Sequence, residues 1–212
     1  KAHLLSLELA DVTGKSDAFS AQVGYFFSLF NQGKAKSSEE LTALGQAVRK
    51  EDPQGAWQSF QDAQKLDAKN LDAFVVGGFH CLDKYAWQLA RQCFEAALKT
   101  NPSLATAHAG MAAIVMANGD YAGAQKSVEA ALKTNPNLIL GHLLKAMILA
   151  VDEKHDASLA EIKAALAVNP SHLDALSLLA AHYEVTGNAA ERDKGIAQVL
   201  KVNPKHADLY AT

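Results

Sequence analysis

The sequence predicts an all-α fold, an α-solenoid of antiparallel helical hairpins. Three observations predict it. Asn-Pro recurs at Asn101-Pro102, Asn135-Pro136, Asn169-Pro170 and Asn203-Pro204, 34 residues apart each time. Two of these sites close identical eight-residue runs, Glu95 to Pro102 and Glu129 to Pro136. Between the Asn-Pro marks, small and apolar residues follow two helical faces in succession. A fixed period of this length means stacked copies of one supersecondary unit, each burying its apolar face on its neighbours.

From the N terminus, residues 1–36 read as a degenerate hairpin or cap: two helices, Ala2 to Val12 and Asp17 to Phe30, around Gly14-Lys15-Ser16. The second is apolar on most sides, with Phe19, Val23, Phe26, Phe27 and Phe30, and such a helix is expected to be buried on most sides. Residues 37–70 keep the period, with Leu44, Ala56, Phe60 and Ala63 in place and Asp52-Pro53 opening a second helix.

In 71–104, Phe74, Gly77, Gly78 and Cys81 form one helical face, and Ala90, Phe94 and Ala97 a second. Pro102 has no amide hydrogen and pushes Asn101 out of the α region, so the helix stops there. Units 105–138, 139–172 and 173–206 repeat the pattern. Gly119 and Gly187 supply residues tolerant of positive φ after the first helix, and Asp120 and Asn188 follow as N-caps. Small residues at Gly78, Ala112, Ala146 and Ala180 are expected where the helices of a hairpin approach most closely. Ala97, Ala131 and Ala165 are expected where each second helix meets the next unit. Residues 207–212 begin a further first helix, and with no polar cap after them the natural protein is expected to continue.

Composition narrows the function. Of 212 residues 49% are hydrophobic and 20% charged, and the net charge is -3 with no basic patch, which argues against nucleic acid. No apolar run is long enough to span a bilayer. The opening residues show neither a start methionine nor a signal peptide, which leaves a cytoplasmic or an exported location open. Cys81 and Cys93 form no C-x-x-C and are expected as two free thiols at heights that do not face each other. No catalytic, cofactor or metal constellation is expected. Gly14-Lys15-Ser16 mimics the end of a phosphate loop, but Leu9 stands where the earlier glycine belongs. His108 and His142, like His172 and His206, lie one period apart, and stacked helices about 10 Å apart cannot share one ion. Glu95, Glu129 and Glu161 look like a solvated face of the second helices.

The pattern resembles the tetratricopeptide repeat. The likeness rests on the period, on small residues at the eighth, twentieth and twenty-seventh positions, and on proline at the thirty-second, and it covers Leu71 to His206. Departures are His108 and His142 where an aromatic is usual, and Ser158, Arg192 and Val199 at small-residue positions. The resemblance implies a right-handed superhelix whose first helices line a concave groove for a partner peptide or helix. The groove residues it implies are Val75, Phe79 and Leu82, then Ala109, Ala113 and Met116. Leu140, Leu143, Met147 and Ala150 continue the strip, and Ser177, Ala181 and Glu184 end it. Clamping of a C-terminal carboxylate, a mode known in the family, needs basic groove residues, and from Ser37 onward Arg49 alone is basic there.

The expected function is therefore non-catalytic protein–protein interaction, as a scaffold or adaptor with an apolar groove. The groove is either free or filled, by tight winding, by the Phe19–Phe30 helix or by a second copy. Two alternatives stand beside it: a regulatory or substrate-presenting segment of a longer enzyme whose catalytic part lies beyond residue 212, and a self-associating structural module, a homodimer through the Phe19–Phe30 helix.

Overall fold

The computed structural model describes residues 2–31 and 36–206. The expectations for residues 32–35 and 207–212 lie outside them. The described residues form twelve α-helices and no strand. The first hairpin is α1 (Ala2–Val12) with α2 (Ser16–Asn31), and the second is α3 (Ser38–Val48) with α4 (Pro53–Leu66). The third and fourth are α5 (Leu71–Asp83) with α6 (Trp87–Thr100) and α7 (Ala105–Ala117) with α8 (Tyr121–Thr134). The fifth and sixth are α9 (Ile139–Val151) with α10 (His155–Val168) and α11 (Leu173–Val185) with α12 (Ala189–Val202). Each helix packs most extensively on its hairpin partner, and each second helix from α2 to α10 packs next on the first helix of the following hairpin, so the hairpins stack in chain order.

The Asn-Pro marks work as their chemistry predicts. Asn101 leaves the helix at φ -133, ψ 94, the extended region that a following proline favours. Asn135, Asn169 and Asn203 do the same. Each asparagine side chain also accepts the amide two residues on, at Ser103, Asn137, Ser171 and Lys205.

Within the hairpins the chain reverses through one left-handed residue: Gly14, Gly119 and Gly187, but also Tyr85 and Glu153, both at φ 57. The second hairpin turns without one. Asp120 and Asn188 cap the following helices by accepting the amides of Gly123 and Glu191.

The core runs down the stack as a column. Phe26, Phe60 and Phe94, one period apart, are buried, followed by Val128 and Ile162. Small residues let these rings in: a Cβ added at Gly78 would stand 2.6 Å from Cε1 of Phe94. Ser158, a departure from the small-residue pattern, is accommodated because its buried hydroxyl donates to the Ala146 carbonyl at 2.9 Å. Arg192 turns outward to Glu184 and Asp193 instead.

The first hairpin belongs to this column. Leu7, Val23 and Phe26 share one buried cluster with Leu44, Val48 and Phe60, with Phe19 and Phe27 against it. Helix α2 thus spends these residues on the neighbouring hairpin, as a member of the stack. The two ends of the described chain also meet. Nδ2 of Asn203 donates to the Asp11 carbonyl at 3.5 Å, and a Cβ added at Gly14 would collide with the Asn203 side chain.

Candidate partner-binding face

First helices of successive hairpins touch one another: α3 with α5, α5 with α7, α7 with α9, and α9 with α11. Among the described residues the second helices make no comparable contacts with one another. The stack therefore curves with its first helices on the inside. The inner wall is where the resemblance implies the groove.

The structure divides those groove residues into three kinds. Val75, Phe79 and Leu82 are half-buried against the α5–α6 core, with the Phe79 ring edge-on to Phe94 at 5.1 Å between centroids. Ala109 and Leu143 are buried outright and serve the packing of the helices. Ala113, Met116, Leu140, Ser177 and Ala181 are half-buried on the wall, and Met147, Ala150 and Glu184 are exposed. Met147 is 42% exposed and Val151, one helical turn on, 53%. Glu184 is held by Arg192, whose Nη1 donates to it at 2.6 Å. The Ser177 hydroxyl is buried with no partner among the described residues. Arg49 faces a separate cavity of about 810 Å³ between the two ends of the described chain, with Asp83, His172, Asp174 and Lys205.

The sequence matches the tetratricopeptide repeat family model over residues 82–148. Residues 82–148 carry the tetratricopeptide repeat pattern. No curated protein matches it in sequence. Solved structures extend the likeness of fold along the stack. A thermophilic tetratricopeptide repeat protein of Thermus thermophilus superposes with a TM-score of 0.73 at 20% identity, over 82% of this chain and 96% of that one. PilW, a type IV pilus biogenesis factor, gives 0.64 at 23% identity over 77% and 76%. YrrB, a tetratricopeptide repeat protein with an unusual peptide-binding site, gives 0.51 at 17% over 88% and 96%.

The repeat also explains its histidines. His108 and His142 stand at the same position, and Nε2 of each donates to a carbonyl, Pro102 or Pro136, at 2.8 Å. They tie each first helix to the Asn-Pro turn before it. His80 donates to the Pro53 carbonyl at 3.0 Å and lies by the Phe60 ring; burial, opposed by that carbonyl, pushes it below the usual histidine range. His182 is lowered by burial and by neighbouring His155. No group of three metal-ligating side chains occurs among the described residues, and none of their helices is long and apolar enough to cross a membrane.

One expectation changes. Glu95 and Glu129 are exposed, but Glu161 turns inward. It accepts from His142 Nδ1 at 2.7 Å and from Lys145 Nζ at 2.6 Å. Burial would raise its carboxyl, but those two hydrogen bonds and charges outweigh burial and hold it below the usual range. The sequence carries the signal: residues 142 and 145 are three apart, on one helix face opposite Glu161. Cys81 and Cys93 are free and both buried, Cys81 in the α5–α6 core and Cys93 with its sulfur accepting from Gln64 Nε2 at 3.8 Å. Burial, with Cys93 adding to it, pushes the Cys81 thiol up to about 12, and burial also raises Cys93 against a hydrogen bond from Gln64.

Proposed function

We propose that this repeat array is a non-catalytic interaction module that docks a partner peptide or helix on its inner wall. One observation carries the reading: Met147, Ala150 and Val151 form an apolar patch on α9 that no other part of the described chain covers. Helix α2, which could have filled the groove, stacks at the end of the array instead. Exposed apolar surface of this kind is uncommon unless it is used, and methionine beside small residues adapts to varied side chains. The peptide-binding site of YrrB, a protein of like fold, lends the reading support.

A Met147→Glu, Ala181→Glu variant tests it, because both positions lie on the wall outside the column of buried rings. Phe79 is unsuitable, since its ring is part of the α5–α6 packing. A partner cross-linked to the parent and lost from the variant, with circular dichroism and unfolding midpoint unchanged, is the expected result. Equal cross-linking to both proteins overturns the assignment.

A further inference from the structure

At its N-terminal end the inner wall opens into a cleft of about 860 Å³ between the first hairpin and helices α3 and α5. Pockets that hold ligands span about 300–1,000 Å³. One side is an aromatic wall. His3 stacks on Tyr25 with ring centroids 3.7 Å apart, its Nδ1 lies 2.8 Å from Gln22 Oε1, and Tyr25 meets Phe26 edge-on. Phe26, Leu29, Ala43 and Val76 supply apolar lining.

The rim is acidic. Glu39 and Asp72 line the cleft and have no ion-pair partner among the described residues. Their neighbour Glu40 is already engaged: its carboxylate accepts the Lys36 and Ser37 amides at 2.8 and 3.1 Å and caps α3. No lysine or arginine is among the described residues that line the cleft.

We propose that this cleft docks a partner segment in which apolar side chains are flanked by lysine or arginine. This rests on the inner-wall reading and adds the chemistry of the partner. The lining receives the apolar side chains, and the exposed Tyr25 ring and the two carboxylates receive the cations. A purely apolar segment would cover Glu39 and Asp72 and leave them desolvated without a partner, and an acidic one would be repelled.

The test is selection of short random peptides displayed on phage against the whole chain, followed by affinity measurements on synthetic copies. Selected peptides are expected to pair Lys or Arg with large apolar residues, to weaken in salt, and to bind a Glu39→Lys, Asp72→Lys variant at least about tenfold more weakly, a loss of about 1.4 kcal/mol. Glu-for-Lys versions of the same peptides are expected to regain affinity for that variant. The milder Glu39→Gln, Asp72→Asn pair guards against a folding defect. Peptides without basic residues, or equal affinity for parent and charge-reversed chain, overturn the proposal. If such peptides are lost with Met147→Glu, the inner-wall reading survives and only the cleft fails. If they ignore both variants, or if no peptide is selected, both readings fail.

Discussion

A side chain at Gly110 would run into the ring of Phe94, which is fully buried between two hairpins. Gly78 meets the same ring from its own hairpin, so Phe94 packs on bare backbone from both. Gly110→Ala is therefore expected to destabilise the chain by about 1–3 kcal/mol, the usual range for overpacking. Gly24→Ala in α2, where nothing lies within 4 Å, is expected to stabilise by about 0.5–1 kcal/mol through the unfolded chain. Urea unfolding of the two variants, compared with the parent, reads both signs.

Glu153 holds φ 57 at a hairpin turn where Gly119 and Gly187 stand in other units. A side chain in that region costs roughly 1 kcal/mol or a little more. Glu153→Gly is expected to raise the unfolding midpoint, and Gly119→Ala to lower it. Opposite shifts in differential scanning calorimetry confirm the account, and shifts of the same sign reject it.

The His142–Glu161–Lys145 cluster ties α9 to α10. Glu161→Gln is expected to cost about 1–2 kcal/mol at neutral pH, between the values for exposed ion pairs and for hydrogen bonds to charged groups. The sign with pH follows from the lowered carboxyl. Its contribution is complete above the unfolded carboxyl value of about 4.3 and is lost as pH falls through the lower, folded value. The gap between parent and variant should therefore be constant down to about pH 5 and close below it, as followed by urea midpoints across pH.

Cys81 and Cys93 are buried and their thiols raised, so few thiolates are available near neutral pH. Native protein is expected to resist a thiol-specific reagent such as Ellman's at about pH 8, and protein in denaturant to release two equivalents. Rapid labelling of the native chain would mean that α5 and α6 open far more often than their packing implies.

Asn135 and Asn203 share the turn role, but only Asn203 also reaches Asp11. Asn203→Ala is expected to speed amide exchange around Gly14, and Asn135→Ala to leave that turn unchanged. Hydrogen exchange read by mass spectrometry separates the two.

The stack was legible in the sequence because its period leaves a mark at every level: Asn-Pro at the turns, small residues at close approaches, and large rings between them. Gly119 and Gly187 announced left-handed turns, whereas Tyr85 and Glu153 did not, because no residue type signals a conformation it disfavours. Phe26 stands one period ahead of Phe60 and ties the first hairpin to the array, but Gly14 lies twelve residues before Phe26 where Gly119 lies nine before Val128, and this offset hides the spacing. The groove was legible only as a direction. Helical position says that Ala109 and Leu143 face inward, yet both are buried, because how closely first helices crowd depends on curvature, which no single repeat specifies. The Glu39–Asp72 rim joins residues of two units and becomes a feature only once they are stacked.

The hydrogen bond from Asn203 to Asp11 joins residues 192 positions apart, while the stack is otherwise held by contacts between neighbouring hairpins. Such neighbours find each other quickly, and a stack can grow from whichever pair forms first. The ends cannot meet that way, since closing so long a loop before the intervening units are in place brings entropy loss and no supporting contacts. Their union is therefore expected to be the last event of assembly and the first to be undone. One melted hairpin anywhere in the middle separates Asn203 from Asp11, so this single contact reports on the integrity of every unit between them.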